Sequence, residues 1–128
     1  MSNSPPFVAI VDDEECVCRA LQRLFRSAGY HVETFPGGAA FFRGLETRKP
    51  DCLVLDLHMP RTSGFDVQSR LRELGERVPI VVITGHDTPQ TRERIMAAGA
   101  AAYLRKPADE QALLDAVSAA IEGTKAEP

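Results

Sequence analysis

Cysteine is scarce and tryptophan is absent in this chain of 128 residues, which contains only three cysteines. An odd number of cysteines without a framework spacing argues against a disulfide scaffold and indicates a reducing, cytoplasmic environment. Cys16 and Cys18 are two residues apart, so on a helix their side chains point to nearly opposite sides, which is a poor geometry for chelating a metal ion. We therefore expect Cys16, Cys18 and Cys52 to be ordinary thiols.

An excess of positive charge and a long apolar run are also lacking. The net charge is −3 at pH 7, which gives no support to direct binding of nucleic acid or of an anionic membrane surface. No apolar run approaches the roughly 20 residues that a helix needs to span a bilayer. Residues 1–6 have neither the positive region nor the apolar region of a signal peptide.

The length and composition are those of one globular domain. With 44% hydrophobic and 26% charged residues, the chain is long enough and apolar enough to bury a single core. We expect residues 7–123 to form this domain, residues 1–6 to be a disordered leader and residues 124–128 to be a frayed tail.

Five short runs in the sequence have the character of β-strands. The runs at residues 7–11, 51–56 and 79–84 are apolar, as in strands of a parallel sheet, and the last two resemble strands buried on both faces. Residues 30–35 alternate in character, which indicates a strand exposed on one side, at an edge of the sheet. Residues 100–105 are small and form the fifth expected strand.

Between these runs, apolar residues recur at helical spacing. Asp13 can cap the first helix, and Gly29 follows its last periodic residue. The last helix is expected to begin at Asp109 and to end at Gly123. Repeated alternation of strand and helix predicts an α/β fold with a parallel sheet, right-handed crossovers and helices on both faces.

Charged and polar residues stand at the carboxyl ends of four predicted strands, namely Asp12 and Asp13, Asp56, Thr84, and Lys106. All strands of a parallel sheet end on the same edge, where open α/β sheets bind their ligands. Three adjacent carboxylates repel one another and raise each other's pKa unless a cation joins them. Mg²⁺ suits such a set because it accepts a few carboxylates and keeps several waters, and Mn²⁺ could substitute.

With a metal ion in place, one carboxylate can act as a nucleophile toward a phosphoryl group. The ion would offset charge on the transferring oxygens, while Lys106 supplies a mobile positive charge and Thr84 a hydrogen bond. The predicted product is an acyl phosphate on Asp56. Each residue also has a simpler interpretation: Asp12 and Asp13 as helix caps, Thr84 as the end of a strand and Lys106 as a solvated charge. Their joint position at the strand ends favours the phosphoryl-accepting site.

The order and spacing of these residues resemble the receiver domain of bacterial two-component response regulators. The likeness covers roughly residues 7–121 and is carried by Val11-Asp12-Asp13-Glu14, Asp56-Leu57-His58-Met59-Pro60 with Gly64, Ile83-Thr84-Gly85, and Lys106-Pro107. It implies a flavodoxin-like, doubly wound (βα)5 fold with strand order 2-1-3-4-5. It further implies a signalling domain, not an enzyme, that is phosphorylated by a sensor histidine kinase or a phosphotransfer protein.

The resemblance also implies a metal site. Asp56 would be the phosphoacceptor, and Mg²⁺ would be held by Asp12, Asp13, Asp56 and the main-chain carbonyl of His58. These assignments transfer residue by residue because each position matches the family's motif.

A switch is implied in the same way. Thr84 and Lys106 would contact the phosphoryl group, and the Lys106–Pro107 peptide bond would be cis. Tyr103 would turn inward as Thr84 moves toward the phosphoryl oxygen, although an ordinary half-buried strand tyrosine is the simpler interpretation. The expected output surface comprises the fourth helix, fifth strand and fifth helix, around Arg92, Ile95, Ala98, Tyr103 and Leu114.

Two histidines stand near the expected site. His58 comes two residues after the phosphoacceptor and His86 two residues after Thr84. One hypothesis is that both border the path of hydrolytic water and set the lifetime of the phosphorylated state. The alternative is that both are solvated loop residues.

Three other functions fit parts of the sequence. An aspartyl-phosphate-forming phosphohydrolase typically has a second acid where this chain has His58, and a cap domain with no counterpart here. A flavodoxin-type cofactor binder conflicts with Asp12 and Asp13, which would repel a flavin phosphate. A receiver-like binding module that is never phosphorylated is disfavoured by the complete set of acids. The output stays open between a downstream protein, a fused output domain and phosphorylation-dependent homodimerisation.

Overall fold

The structure is a computed structural model that describes residues 4–59 and 61–126. Five strands and five helices alternate along this part of the chain. The strands are β1 (Phe7–Val11), β2 (His31–Phe35), β3 (Cys52–Asp56), β4 (Ile80–Thr84) and β5 (Ala102–Arg105). The helices are α1 (Glu15–Ser27), α2 (Gly38–Leu45), α3 (Gly64–Glu73), α4 (Pro89–Ala97) and α5 (Glu110–Ala126). Residues 1–3 of the expected leader, Pro60 of the expected turn and residues 127–128 of the expected tail lie outside the described residues.

The strands form one parallel sheet in the order β2-β1-β3-β4-β5. In this sheet Val11 pairs with Leu55, and Asp56 pairs with Ile83, so the carboxyl ends of neighbouring strands lie at the same edge. The predicted flavodoxin-like α/β fold is confirmed, together with the strand order that the resemblance implies. β2 is an edge strand, as its alternating pattern predicts.

Helices cover both faces of the sheet. Every residue of β1, β3 and β4 is buried, which explains why these strands are continuously apolar. One face packs against α2, α3 and α4 through residues such as Phe41, Val67 and Ile95, and the other packs against α1 and α5 through Phe25 and Val117. Burial of each such side chain contributes roughly 1.5–3 kcal/mol. Within the described residues, none of the helices combines the length and apolar character that a bilayer crossing requires.

The start of α1 differs from the expectation that Asp13 caps it. The N-cap residue is Glu14, and its backbone N–H donates to Oδ1 of Asp12 at 2.9 Å. Because Asp12 accepts the hydrogen bond from this amide, the N-cap lies one residue later than predicted, and Asp13 remains exposed beside the other strand ends. Asp12 therefore fixes the geometry of this loop, and the exposed Asp13 lies beside it.

The end of α5 also differs, because the helix continues past Gly123 to Ala126. Gly123 is not among the glycines with positive φ, whereas Gly29, Gly75 and Gly99 have this conformation just after α1, α3 and α4. Next to Gly123, the hydroxyl of Thr124 donates to the carbonyl of Ala120 at 3.1 Å, a bond within the helix. The prediction that the helix ends at Gly123 was wrong for this reason: a glycine ends a helix only where the backbone adopts the left-handed conformation.

Candidate functional site

Four strands bring their terminal polar residues to one edge of the sheet. Asp12 and Asp13 follow β1, Asp56 ends β3, Thr84 ends β4 and Lys106 follows β5. Asp12, Asp56 and Thr84 are only 1%, 3% and 0% exposed, whereas Asp13 is exposed. One carboxylate oxygen from each of Asp12, Asp13 and Asp56 lies within 4.8 Å of the others. The structure thus brings together all the strand-end residues that the sequence singles out.

Lys106 is the cation of this cluster. Its Nζ lies 3.0 Å from Oδ2 of Asp12, 3.3 Å from Oδ1 of Asp56 and 3.4 Å from Oε1 of Glu14. Burial tends to lower the pKa of the ammonium, but the hydrogen bond and charge of Asp12 and the attraction of Asp56 outweigh it, so the pKa is raised. Lys106 is therefore charged at neutral pH and bridges the two buried carboxylates.

The carboxyl of Asp56 remains poorly compensated despite this bridge. Its pKa is raised from 3.8 to about 6, first by burial and then by repulsion from Asp12, while Lys106 and the backbone amide of His58 act in the opposite direction. The Lys106 ammonium contacts the carboxylates of Asp12, Glu14 and Asp56, and Asp13 adds a fourth acid beside Asp12 and Asp56. An additional positive charge bound at this point would lower the free energy of the ionised cluster.

The loop after Asp56 is held tightly against the start of α3. The N–H of Leu57 donates to the carbonyl of Ile83 at 3.1 Å, and the N–H of Gly64 donates to the carbonyl of Leu57 at 2.9 Å. A Cβ atom on Gly64 would lie 2.9 Å from Cα of Leu57, so the close approach requires glycine. This packing fixes the direction in which the Asp56 carboxylate leaves the sheet.

Ser63 begins α3 with a capping box. Its hydroxyl oxygen accepts from the N–H of Asp66 at 3.3 Å, and its N–H donates to Oδ2 of Asp66 at 3.1 Å. The reciprocal bonds satisfy amides that the helix cannot satisfy itself. They fix the far end of the loop that carries His58.

Thr84 is connected to two neighbouring loops. Its hydroxyl oxygen accepts from the N–H of His86 at 3.0 Å, and its carbonyl accepts from the N–H of Lys106 at 2.7 Å. The peptide bond between Lys106 and Pro107 is cis. The Thr84 hydroxyl can still donate its hydrogen, because it accepts the amide through an oxygen lone pair.

Tyr103 lies under α4. Its side chain is buried, the Arg92 guanidinium lies 4.9 Å from the ring centroid, and burial and the nearby Asp87 carboxylate raise the pKa of the phenol. The hydroxyl is buried and, among the described residues, has no hydrogen-bond partner of normal geometry. The aromatic position that the sequence singled out is therefore inward-facing and beside the β4–α4 loop.

Two of the five residues expected on the output surface are buried, namely Tyr103, which is 9% exposed, and Ile95. Ile95 is fully buried and packs in the core beneath α4, so it cannot contact a partner. Arg92 is exposed, and Ala98 and Leu114 are half-buried. Helical spacing places Ile95 on the inner side of α4, the side that this short helix uses for packing.

His58 and His86 are both exposed and meet across the site, with ring centroids 5.0 Å apart and the rings nearly perpendicular. Both histidines lie near the strand ends, as expected. The sequence did not predict the direct contact between them, because the two residues are far apart in the chain. Glu14, the third partner of Lys106, was also not identified as a site residue.

Comparison with known proteins identifies the family. A model of the response regulator receiver domain matches residues 8–118. The chain belongs to this family. Response regulator protein TodT of Pseudomonas putida is 39% identical to this receiver domain over 122 residues, which cover 95% of the chain and 54% of TodT. The receiver domain therefore spans about half the length of the curated relatives it matches.

Solved structures agree with this membership. The structure of response regulator StyR is 46% identical with a TM-score of 0.81, covering 92% of the receiver domain and 60% of that chain. A response regulator receiver protein from Burkholderia phymatum is 42% identical with a TM-score of 0.81, covering 91% of the receiver domain and 95% of that chain. The receiver domain is thus of the type used in bacterial two-component systems.

Proposed function

We propose that this receiver domain accepts a phosphoryl group on Asp56 from a sensor histidine kinase or a phosphotransfer protein in the cytoplasm. The observation that carries the proposal is the convergence of three carboxylates within 4.8 Å beside Lys106 at the carboxyl edge of the sheet. Asp56 is the acid of this group that lies at the end of a central strand and that also contacts the ammonium.

Mg²⁺ fits the carboxylate cluster, and Mn²⁺ could replace it. Asp12, Asp13, Asp56 and the main-chain carbonyl of His58 would hold the ion, all through oxygen atoms, which hard divalent cations prefer. The raised pKa of Asp56 supports this fit, because it marks negative charge that the protein alone does not compensate. The bound ion would offset negative charge on the transferring phosphoryl oxygens.

The protein's own groups can carry out the remaining chemistry. A carboxylate oxygen of Asp56 attacks the phosphorus atom, an O–P bond forms, and the N–P bond of the phosphohistidine donor breaks, so that the imidazole leaves with its electron pair and takes up a proton. Lys106 stabilises a phosphoryl oxygen by charge, and the Thr84 hydroxyl donates a hydrogen bond to another. With a pKa of about 6, Asp56 is largely ionised at neutral pH and able to attack.

Signalling would follow from movement of Thr84. When its hydroxyl donates to the phosphoryl group, the β4–α4 loop would shift and the packing around Tyr103 would change. The exposed parts of α4, β5 and α5, with Arg92 among them, would then present a different surface. This surface would act on a downstream protein, on a fused output domain or on a second copy of the domain.

His58 and His86 would control hydrolysis of the acyl phosphate. Both rings are exposed beside Asp56 and Thr84, where they can obstruct or orient an attacking water. We expect His58→Asn and His86→Ala to change the dephosphorylation rate, measured as loss of the phosphorylated species after removal of the donor. Unchanged rates in both variants would eliminate this role.

The phosphoacceptor itself is tested by mass spectrometry. After incubation with a small-molecule phosphodonor and Mg²⁺, the domain should gain the mass of one phosphoryl group, and Asp56→Asn should not. Asp115→Asn, a change at an exposed carboxylate on α5, is the matched control and should still be phosphorylated. A domain that gains no phosphoryl group from any donor would instead be an unphosphorylated binding module.

A further inference from the structure

We propose that His58 and His86 form a binding site for a divalent transition-metal ion such as Zn²⁺, separate from the carboxylate cluster that suits Mg²⁺. The two imidazole rings stand at the rim of the site with centroids 5.0 Å apart and an interplanar angle of 84°. Imidazole nitrogen is the ligand that Zn²⁺, Cu²⁺ and Ni²⁺ prefer, whereas Mg²⁺ prefers oxygen.

Backbone contacts hold both histidines in place. The amide of His58 lies against the carboxylate of Asp56, and the amide of His86 donates to the Thr84 hydroxyl at 3.0 Å. Each histidine therefore has its backbone fixed to the end of a central strand while its ring remains exposed. A pair of ligands on fixed backbones loses little further freedom on binding a metal ion.

The rings of these two histidines are free to act as ligands. Within residues 4–59 and 61–126, neither ring forms a hydrogen bond or an ion pair, and each ring's contact is with the other. His31, the third histidine of the chain, differs: its ring packs on Phe7 at 5.2 Å and lies 3.6 Å from the Glu33 carboxylate. His31 is therefore a natural control.

The separation of the rings matches what one metal ion requires. With a Zn–N bond of about 2.1 Å and a tetrahedral angle at the metal, two ligating imidazole rings have centroids about 5 Å apart. The observed 5.0 Å is close to this spacing, but it is also an ordinary separation for edge-to-face rings, so the support for the site is that two exposed imidazoles from different loops lie side by side. The rings now meet edge to face, so rotation about side-chain bonds is needed to aim one nitrogen of each at a common point, and exposure leaves that rotation open.

Such an ion would also regulate the phosphoryl-accepting site, a consequence that rests on the proposed function. It would join the β3–α3 loop to the β4–α4 loop across the approach to Asp56. A bound ion would thereby slow phosphorylation at constant Mg²⁺, and the effect would disappear when either imidazole is removed.

Direct measurement of Zn²⁺ binding tests the site without any phosphodonor. Tag-free domain in excess Mg²⁺ is titrated with Zn²⁺, and imidazole resonances are followed by NMR alongside calorimetry. We expect the resonances of His58 and His86 to shift together and those of His31 to stay unchanged. Loss of a ligand should weaken Zn²⁺ binding by roughly tenfold or more in His58→Gln and in His86→Gln, with no change in His31→Gln.

Two further variants exclude other ligands for Zn²⁺. Cys16→Ser removes the exposed thiol and Asp12→Asn weakens the carboxylate cluster, and the proposal expects Zn²⁺ affinity to be kept in both. Equal affinities of wild type, His58→Gln and His86→Gln would overturn the proposal, as would a loss in Asp12→Asn equal to that in the histidine variants. Because binding is measured without phosphoryl transfer, a failure of the proposed phosphorylation would leave this result unaffected.

Discussion

Replacing Asp56 with asparagine should stabilise the folded domain at neutral pH when no metal is bound. The pKa of Asp56 is raised from 3.8 to about 6 by burial and by the charge of Asp12. Burying the ionised form therefore opposes folding, and the neutral amide of Asp56→Asn removes this penalty while keeping the shape of the side chain. Lys106 retains its 3.0 Å contact with Asp12 in the variant, so its charge stays paired.

The size of the effect follows from linkage. Between its two pKa values Asp56 binds more protons in the folded state than in the unfolded state, so the contribution of Asp56 to stability is fully present below about pH 4 and is lost as pH rises through 6. A shift of this size corresponds to about 3 kcal/mol at pH 7.5 as an upper bound, since one pKa unit is worth about 1.4 kcal/mol. At pH 4 the same linkage relation gives a destabilisation of wild type by less than about 1 kcal/mol.

Urea unfolding in the presence of a metal chelator measures this difference. The stability of Asp56→Asn minus that of wild type should grow between pH 4 and pH 7.5, and Mg²⁺ should narrow the gap at pH 7.5 by stabilising wild type. Asp115→Asn, at an exposed carboxylate, should show no comparable trend. If Asp56→Asn were less stable than wild type at pH 7.5, or its advantage independent of pH, the electrostatic account of the cluster would be wrong.

Two further changes test the surroundings of this carboxyl. Gly64→Ala should lower the free energy of unfolding by roughly 1–3 kcal/mol, because the added Cβ would lie 2.9 Å from Cα of Leu57. Gly85 has open space around the position of a Cβ, so Gly85→Ala should leave the free energy of unfolding nearly unchanged in the same urea denaturation assay. Lys106→Met should raise the pKa of Asp56 above its value of about 6. The pKa is measured by NMR titration of the Asp56 carboxyl carbon in the absence of metal. An unchanged or lower pKa would contradict the role assigned to the Lys106 ammonium.

The sheet and the convergence of the acids could be predicted because both depend on patterns within short segments. A continuously apolar strand such as β3 is buried on both faces, and parallel strands end on one edge. Asp12, Asp56 and Thr84 follow or end such strands and Lys106 follows the partly exposed β5, so their proximity needs only the topology. The comparisons with known proteins then supply the family, which agrees with the resemblance.

What could not be predicted depends on how loops fold back. Asp12 captures the amide of Glu14, which turns the Glu14 carboxylate toward Lys106 and makes it a member of the cluster. The contact between His58 and His86 joins loops from two different strands, and no local pattern encodes it. α5 continues past Gly123 because the backbone there does not adopt the left-handed conformation, and composition alone does not reveal that conformation.

The distribution of the helices has a mechanical consequence. The four loops that carry the acids, the hydroxyl and the ammonium lead into α1, α3, α4 and α5, of which two lie on each side of the sheet. A displacement of any of these loops would therefore act directly on a helix, and together the four loops reach both outer layers of the sheet.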